Sequence, residues 1–366
     1  FDATPLLGEP TGVGTFTGGA LDALARRPRS EVELIGYGLS WTGRSALAAA
    51  VPDGVRTARM PMVAGPLLAL WSRANWPAAE WWTGPVDVVH GTNFVVPPAR
   101  RGAEVVTVHD LTALRFPELC SPVALGYPHL VRRAIARGAW IHTPSQFVAR
   151  EVVELLGADP ERVVAVAHGV DPAPAEPMPV DGSPAESTRT ILALATSEPR
   201  KDLPTLVAAF DRVAATHDDV RLVLAGPDGW GAAVLAAAIA GARFGRRIQR
   251  LGWVDPARKA ALLRSASVFA YPSRYEGFGL PPLEAMAAGV PVVASDAGAV
   301  AEAVGDAACL VPVGDADAMA AALLALLGEG DLRRRLIDRG RQRAATFTWS
   351  RCAAGLVELY RRAASP

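Results

Sequence analysis

Five prolines, Pro172, Pro174, Pro177, Pro179 and Pro184, fall between Asp171 and Thr188. Proline fixes φ and has no amide N–H, so neither a helix nor a central strand can pass through such a stretch. The chain is cut there into two parts, and each must find its own core. At 366 residues it is long enough for both. Both parts alternate short apolar runs with stretches of helical character. Strands are expected over 32–37, 55–59, 86–90, 105–109, 140–143 and 163–166 in the first part. In the second they are expected over 190–195, 220–225, 248–251, 268–271, 291–294 and 309–311. Strand–helix alternation builds a parallel sheet with helices on its faces. The expected fold is α/β: two doubly wound Rossmann-like domains facing a cleft. The boundaries are read as a first domain over 1–171, a proline-rich linker over 172–188 and a second domain over 189–346. A last helix over 347–366 has the reach to cross back to the first domain.

Composition narrows the function. Basic and acidic residues both number 37, so the formal net charge is zero. Nucleic-acid binders are usually visibly basic, and no nucleic-acid partner is expected. Cys120, Cys309 and Cys352 lie far apart, fit no zinc spacing and are too few for a disulfide framework. A reducing cytoplasm is the expected compartment. No apolar run reaches the roughly eighteen residues of a membrane span. The chain opens at Phe1 on what reads as the end of a strand, so a few residues are expected upstream, with room for a short targeting segment. Lys201 and Lys259 are its only lysines.

Ligands of an open parallel sheet sit beyond the carboxyl ends of the strands. In the first part that position holds Thr11-Gly-Val-Gly-Thr15 and three histidines. Gly12 and Gly14 can let backbone approach a ligand or simply form a tight turn. Thr17 stands where the dinucleotide fingerprint needs its third glycine. His90, His109 and His168 each follow an apolar run, where histidine is usually structural. His109, followed by Asp110, is the strongest candidate for a functional group. Asp110 can fix its tautomer or cap the next turn. Trp71, Trp76, Trp81 and Trp82 cluster in 66–82. They read as a helix packing on the sheet or as a membrane-surface patch, the first being the plainer reading. Arg132, Arg133 and Arg137, on a helix expected over 122–137, are read as a solvated face or a site for anionic head groups.

The second part carries the chemistry. Glu276 and Glu284 bracket a Gly277-Phe278-Gly279 turn, after a strand and at the expected start of a helix. Glycines followed by a helix N-terminus make a cradle for phosphate. Arg200 and Lys201 stand at another strand end, where two adjacent cations suit a diphosphate. Together they describe a sugar-nucleotide site. A hydrolase acid pair is the rival reading of the two glutamates. No Walker loop, nucleophile elbow or zinc pair competes.

At these residues the chain resembles the retaining glycosyltransferases of family 4, with the two-domain GT-B architecture. The resemblance rests on Glu276-Gly-Phe-Gly-Leu-Pro-Pro-Leu-Glu284, Glu198-Pro-Arg-Lys201, Val108-His109-Asp110-Leu111 and Gly12-Val-Gly14. It runs in the family's order over nearly the whole chain and looks closest to bacterial cell-surface polysaccharide transferases, many of which use a mannose donor. It implies that Arg200 and Lys201 hold the donor diphosphate and that Glu284 binds the ribose hydroxyls. Glu276, Gly277 and the backbone of Phe278, Gly279 and Leu280 would lie by the donor sugar and phosphate. His109 would lie by the transferred sugar, and Gly252 and Trp253 would border the base. The implied partners are a nucleotide-diphosphate sugar and a glycan or lipid-linked acceptor, with peripheral membrane contact at the inner face. No cofactor or metal is implied. Thr15 and Ala195 depart from the arginine and glycine that many members carry. Two rival functions remain at this point: a GT-B epimerase or phosphorolytic enzyme, and a non-catalytic sugar-nucleotide binder.

Overall fold

The computed structural model describes residues 1–8, 11–41, 43–58, 60, 62–172, 189–328 and 330–365. Of the expected linker only Pro172 is among them. The chain forms two compact units, one of Phe1–Gly169 with Phe347–Pro366, the other of Val170–Thr346.

The first unit begins with α1 (Gly12–Ala25), β1 (Ile35–Gly36), α2 (Arg44–Ala50), β2 (Arg56–Thr57), α3 (Ala64–Trp71) and α4 (Glu80–Thr83). It continues through β3 (Val88–Gly91), β4 (Ala103–Thr107), α5 (Thr112–Arg115), α6 (Tyr127–Ala136), β5 (Trp140–Thr143), α7 (Gln146–Leu156) and β6 (Val163–Ala165). Strands β3 to β6 make a parallel sheet in that order, and β1 pairs with β2. Residues 1–3 connect them: Asp2 N–H donates to His90 O (2.9 Å) and Ala3 N–H to Tyr37 O (2.7 Å).

Several elements differ from expectation. Gly12 and Gly14 are the first turn of α1, not a loop before it. Thr11 Oγ1 accepts from Gly14 N–H (3.1 Å) and starts the helix there. The strand expected over 105–109 ends at Thr107, so His109 stands just beyond it. Asp110 Oδ1 accepts from the backbone and hydroxyl of Thr112 (2.9 and 2.7 Å) and turns the chain. The helix expected from residue 122 begins at Tyr127, with Pro128 in its first turn, where the missing N–H costs nothing.

The second unit contains β7 (Arg189–Leu194), α8 (Leu203–Ala214), β8 (Val220–Ala225), α9 (Ala232–Gly241), β9 (Ile248–Gly252), α10 (Pro256–Ser265) and β10 (Val268–Tyr271). Then come α11 (Leu280–Ala287), β11 (Val292–Ser295), α12 (Val300–Val304), β12 (Cys309–Val311), α13 (Ala316–Leu327) and α14 (Asp331–Ala344). The sheet is parallel, in the order β12-β11-β10-β7-β8-β9. Helix α8 turns Leu206, Val207, Phe210 and Val213 inward, against a core shared with Ile191, Leu222 and Leu224. Each such side chain contributes roughly 1.5–3 kcal/mol when fully buried.

The last helix, α15 (Trp349–Ala364), belongs to the first unit and packs on α1. Leu356 and Val357 share a core with Phe16, Leu21 and Leu24. Trp349 fits only because two neighbours lack side chains. A Cβ on Gly19 would stand 2.3 Å from its ring, and one on Gly169 2.4 Å from its backbone nitrogen.

Candidate active site

In the second unit the strand order reverses between β7 and β10, which are adjacent although β8 and β9 intervene in sequence. Such a switch point opens a crevice at the strands' carboxyl ends. The two loops leaving it are those of Arg200-Lys201 and of Glu276.

After β7 the chain makes a tight turn over Pro199–Lys201, and Asp202 reverses it in the left-handed conformation (φ 46°, ψ 39°). Asp tolerates this better than most residues. Asp202 Oδ2 accepts from Arg274 Nε (3.1 Å), and Arg274 N–H donates to Arg200 O (2.8 Å). The two loops are thereby sewn together. Arg200 Nη1 donates to Tyr275 O (3.0 Å) and Glu276 Oε2 (2.8 Å). Lys201 Nζ donates to Glu276 Oε1 (2.6 Å) and points at the Tyr271 hydroxyl (3.3 Å). Behind the carboxylate, Ala299 N–H donates to Glu276 O (2.8 Å). Gly298 makes room there: its Cβ would stand 2.4 Å from that oxygen.

Glu276 is buried. Burial alone would raise its pKa, but the charges of Arg200 and Lys201 outweigh it and hold the carboxyl at about 2. Burial lowers the Lys201 pKa, and Arg200 adds to that, while Glu276 opposes both. Glu276 is thus firmly ionised between two preorganised cations. Such an arrangement can hold a diphosphate and take up the charge of a departing phosphate.

The cradle differs from its expected form in one respect. Gly279 adopts φ 140°, a conformation suited to glycine, and α11 follows. Yet Pro281 and Pro282 fill the first turn and have no N–H to give. Amide donors there end with Leu280, so the positive charge at this loop comes chiefly from Arg200 and Lys201.

Glu284 lies on α11, and Lys259 Nζ of α10 donates to its Oε1 (2.6 Å). Burial raises the Glu284 pKa, Lys259 opposes this, and Asp171 adds to the rise. Lys259 did not stand out as a site residue in sequence, although the scarcity of lysine was the available signal. The chain's two lysines meet the two glutamates that bracket the glycine turn. Phe278 and Leu280 are buried beside Glu276 in sequence. Trp253 follows β9, half exposed and two strands along the sheet from β7, outside the charged cluster.

In the first unit His109 Nε2 lies 2.8 Å from Thr92 O. A carbonyl only accepts, so Nε2 carries the proton and Nδ1 the lone pair. Thr92, not Asp110, fixes the tautomer. Burial lowers the His109 pKa, against the pull of Thr92 and Asp110, so the ring is neutral. It stands edge-on to Phe16 (5.4 Å between centroids), on which His168 stacks (4.3 Å). His90 lies inside β3, and His142, inside β5, completes the group. His142 Nε2–H must donate to Val166 O (3.0 Å). Its Nδ1 therefore accepts from Thr107 Oγ1 (2.9 Å), which accepts from His90 Nε2 (2.8 Å). His90 Nδ1 then accepts from the Tyr360 hydroxyl of α15 (2.6 Å). His90 and His142 are structural, joining sheet to last helix. A Cβ on Gly14 would stand 3.1 Å from Pro5 O, whereas Gly12 has open space around it. Among the described residues no group of three or more His, Cys, Asp or Glu is placed to hold a metal ion.

Residues 10–174 match the family model described as Glycosyltransferase Family 4, and residues 178–343 that described as Glycosyl transferases group 1. The chain is 32% identical over 283 residues to O-antigen chain mannosyltransferase B of Escherichia coli, covering 75% of this chain and 74% of that one. The chain belongs to the family 4/group 1 glycosyltransferases. Phosphatidyl-myo-inositol mannosyltransferase of Mycolicibacterium smegmatis is 39% identical over 222 residues, which span 59% of this glycosyltransferase and 55% of that one. Among solved structures, sucrose-phosphate synthase from Thermosynechococcus elongatus superposes with a TM-score of 0.75 at 21% identity, covering 96% of this chain and 93% of that one. HepE of Anabaena, solved with UDP and glucose, gives 0.73 at 19% identity, covering 96% of each chain. At such identities the structures establish the fold, which is GT-B. The family-level activity of this glycosyltransferase is nucleotide-sugar-dependent transfer to a glycan or lipid acceptor.

Proposed function

We propose that this glycosyltransferase acts in the cytoplasm with retention and without a metal, moving a hexose from a nucleotide-diphosphate sugar, GDP-mannose in first place. The observation that carries the reading is the Arg200–Lys201–Glu276 cluster at the switch point. As the bond between the anomeric carbon and the phosphate oxygen breaks, negative charge gathers on the diphosphate. Arg200 and Lys201 stabilise it where it develops. The acceptor hydroxyl forms its bond to the anomeric carbon on the same face. Its proton passes to the leaving phosphate oxygen, so no protein base is consumed. Glu276 holds both cations in place and lies with the backbone of Gly277, Phe278, Gly279 and Leu280 by the donor sugar and phosphate. Glu284 accepts from the ribose hydroxyls, Trp253 borders the base, and Gly12, with open space around it, allows close approach to the donor. Neutral His109 bonds the transferred sugar.

Mannose is favoured because the two relatives described above are both mannosyltransferases by name. A UDP-sugar is the second reading, since HepE was solved with UDP. The test is a turnover screen across GDP-mannose, UDP-glucose and ADP-glucose, with and without chelator. GDP-mannose consumption unaffected by chelator, giving a glycoside with the donor's anomeric configuration by NMR, is the expected result. An inverted glycoside or chelator-sensitive turnover would remove retention or metal independence respectively. An epimerised sugar nucleotide or phosphate-dependent turnover without glycoside would favour the other GT-B chemistries. Nucleotide binding without any turnover would leave a binding protein.

A further inference from the structure

We propose that Tyr271 is a positioning residue for departure of the diphosphate: with Glu276, its hydroxyl fixes the direction in which the Lys201 ammonium offers its third N–H. This rests on the transferase reading above, in which Lys201 meets the donor diphosphate. Strand β10 runs Val268-Phe269-Ala270-Tyr271, and all four residues are buried. It lies between β7 and β11, so its last residue ends at the switch point. Phenylalanine would fill that place as well. A buried phenol hydroxyl costs free energy unless it is hydrogen-bonded. Here its partners are two charged groups of the clamp. It accepts from Lys201 Nζ (3.3 Å). Burial first, then the charge of Glu276 and a hydrogen bond to that carboxylate, raise the Tyr271 pKa well above its ordinary value, against the pull of Arg200. The hydroxyl therefore keeps its proton and donates it to Glu276.

The ammonium is nearer this oxygen than the ring, whose centroid is 5.4 Å away. The contact is made by the hydroxyl and not by the π-face, so removing the oxygen removes it. An ammonium has three N–H groups. Lys201 directs one to Glu276 Oε1 (2.6 Å) and one to Tyr271. Two such bonds stop rotation about the Cε–Nζ bond, and tetrahedral geometry then sets the third N–H. Held by Glu276 alone, the ammonium would turn about that single bond, and its remaining N–H groups would have to be ordered as charge develops. A preorganised donor needs no such ordering at the moment of reaction. The Tyr271 hydroxyl therefore acts on the departure of the diphosphate more than on donor binding.

The experiment places Tyr271→Phe in the parent and in Lys201→Ala, and assays the full chain with whichever of GDP-mannose, UDP-glucose and ADP-glucose the parent turns over. In the parent, Tyr271→Phe is expected to lower kcat about tenfold and to leave the donor KM within about twofold. In Lys201→Ala it is expected to change kcat hardly at all, because it acts through the missing lysine. A second readout needs no turnover. Lys201 and Lys259 are the chain's only lysines, so isotope-labelled lysine gives two sets of side-chain NMR signals, told apart by Lys201→Ala. Burial lowers the Lys201 pKa and Arg200 adds to that, while Glu276 and Glu198 oppose them. Taking an acceptor from the charged form should lower it further. The Lys201 titration and the alkaline limb of kcat should then move together to lower pH, and Lys259 should titrate as before. An equal fall of kcat in both backgrounds, or an unmoved Lys201 titration, would overturn the proposal and leave Tyr271 a packing residue. No turnover by the parent would overturn the transferase reading and this role with it, whereas turnover untouched by Tyr271→Phe would overturn this role alone. Circular dichroism checks the fold of each variant. If Tyr271→Phe unfolds, the parent decides through a nuclear Overhauser contact between the Lys201 side chain and the Tyr271 ring, whose absence would overturn the proposal.

Discussion

The two units solve the same topological problem with opposite electrostatics. Both present polar side chains in or just beyond the strands of a parallel sheet. In the second unit these are ions, with Glu276 clamped by Arg200 and Lys201 and Glu284 by Lys259. In the first they are neutral histidines stacked round Phe16 and tied to hydroxyls and carbonyls. Fixed charge suits a place where charge develops, because the cost of organising it is met in folding. Neutral hydrogen-bonding rings suit a place that must stay packed and only present a lone pair. The difference predicts that substitutions in the second unit act on turnover, whereas most in the first act on folding.

The largest effect belongs to the clamp. Lys201→Ala is expected to lower kcat about 10²- to 10³-fold, the usual cost of losing one preorganised donor. Nucleotide affinity should fall much less. Loss of affinity with kcat kept, measured by calorimetry and steady-state kinetics, would make Lys201 a binding residue only and weaken the contrast.

Acid should separate the units next. Burial depresses the His142 pKa to about 4, so the folded state keeps it neutral while the unfolded chain takes a proton below the ordinary 6.5. Stability from this group is present above pH 6.5 and is lost as the pH falls towards 4, roughly 3 kcal/mol in all. Glu276 loses a similar amount, roughly 3 kcal/mol, but between its ordinary 4.5 and about 2. Hydrogen exchange along a pH series should show the first unit losing protection near pH 5 while the second holds. Simultaneous loss in both units would mean that acid stability is not set locally.

His109 is the intended exception among the histidines. His109→Ala should reduce transfer about 10- to 100-fold, as for a lost hydrogen bond to a substrate group. Donor binding and thermal stability should change little. Loss of stability equal to that of a His90→Ala variant would place it with its structural neighbours.

Much of this is legible in the amino-acid sequence. Proline density and strand–helix alternation point to two parallel sheets, and two cations and two acids mark the charged loops at the switch point. Periodicity cannot weigh a cap, however. Thr11 captures Gly14 N–H and turns an expected glycine loop into helix. Nor can it see what packing does to a ring: His142, inside the strand expected over 140–143, is fully buried. The helix start near Leu280 is legible too, and so is what it costs a cradle of amides, since Pro281 and Pro282 have no N–H to give.

Lys259 is the sharpest case, because its partner is distant in sequence and its role is indirect. It steadies Glu284, whose carboxyl burial already pushes up. Lys259→Ala removes the opposing charge, so the Glu284 pKa should climb further. An ionised Glu284 accepts from hydroxyls and a protonated one does so poorly. The donor KM of the variant should therefore rise about tenfold, for roughly 1.4 kcal/mol of lost binding, with kcat kept. The rise should grow as the pH is lowered, more steeply than in the parent enzyme, and Lys259→Arg should restore most of the affinity. A pH-independent rise would show that Lys259 touches the donor itself, and an unchanged KM would show that Glu284 needs no partner.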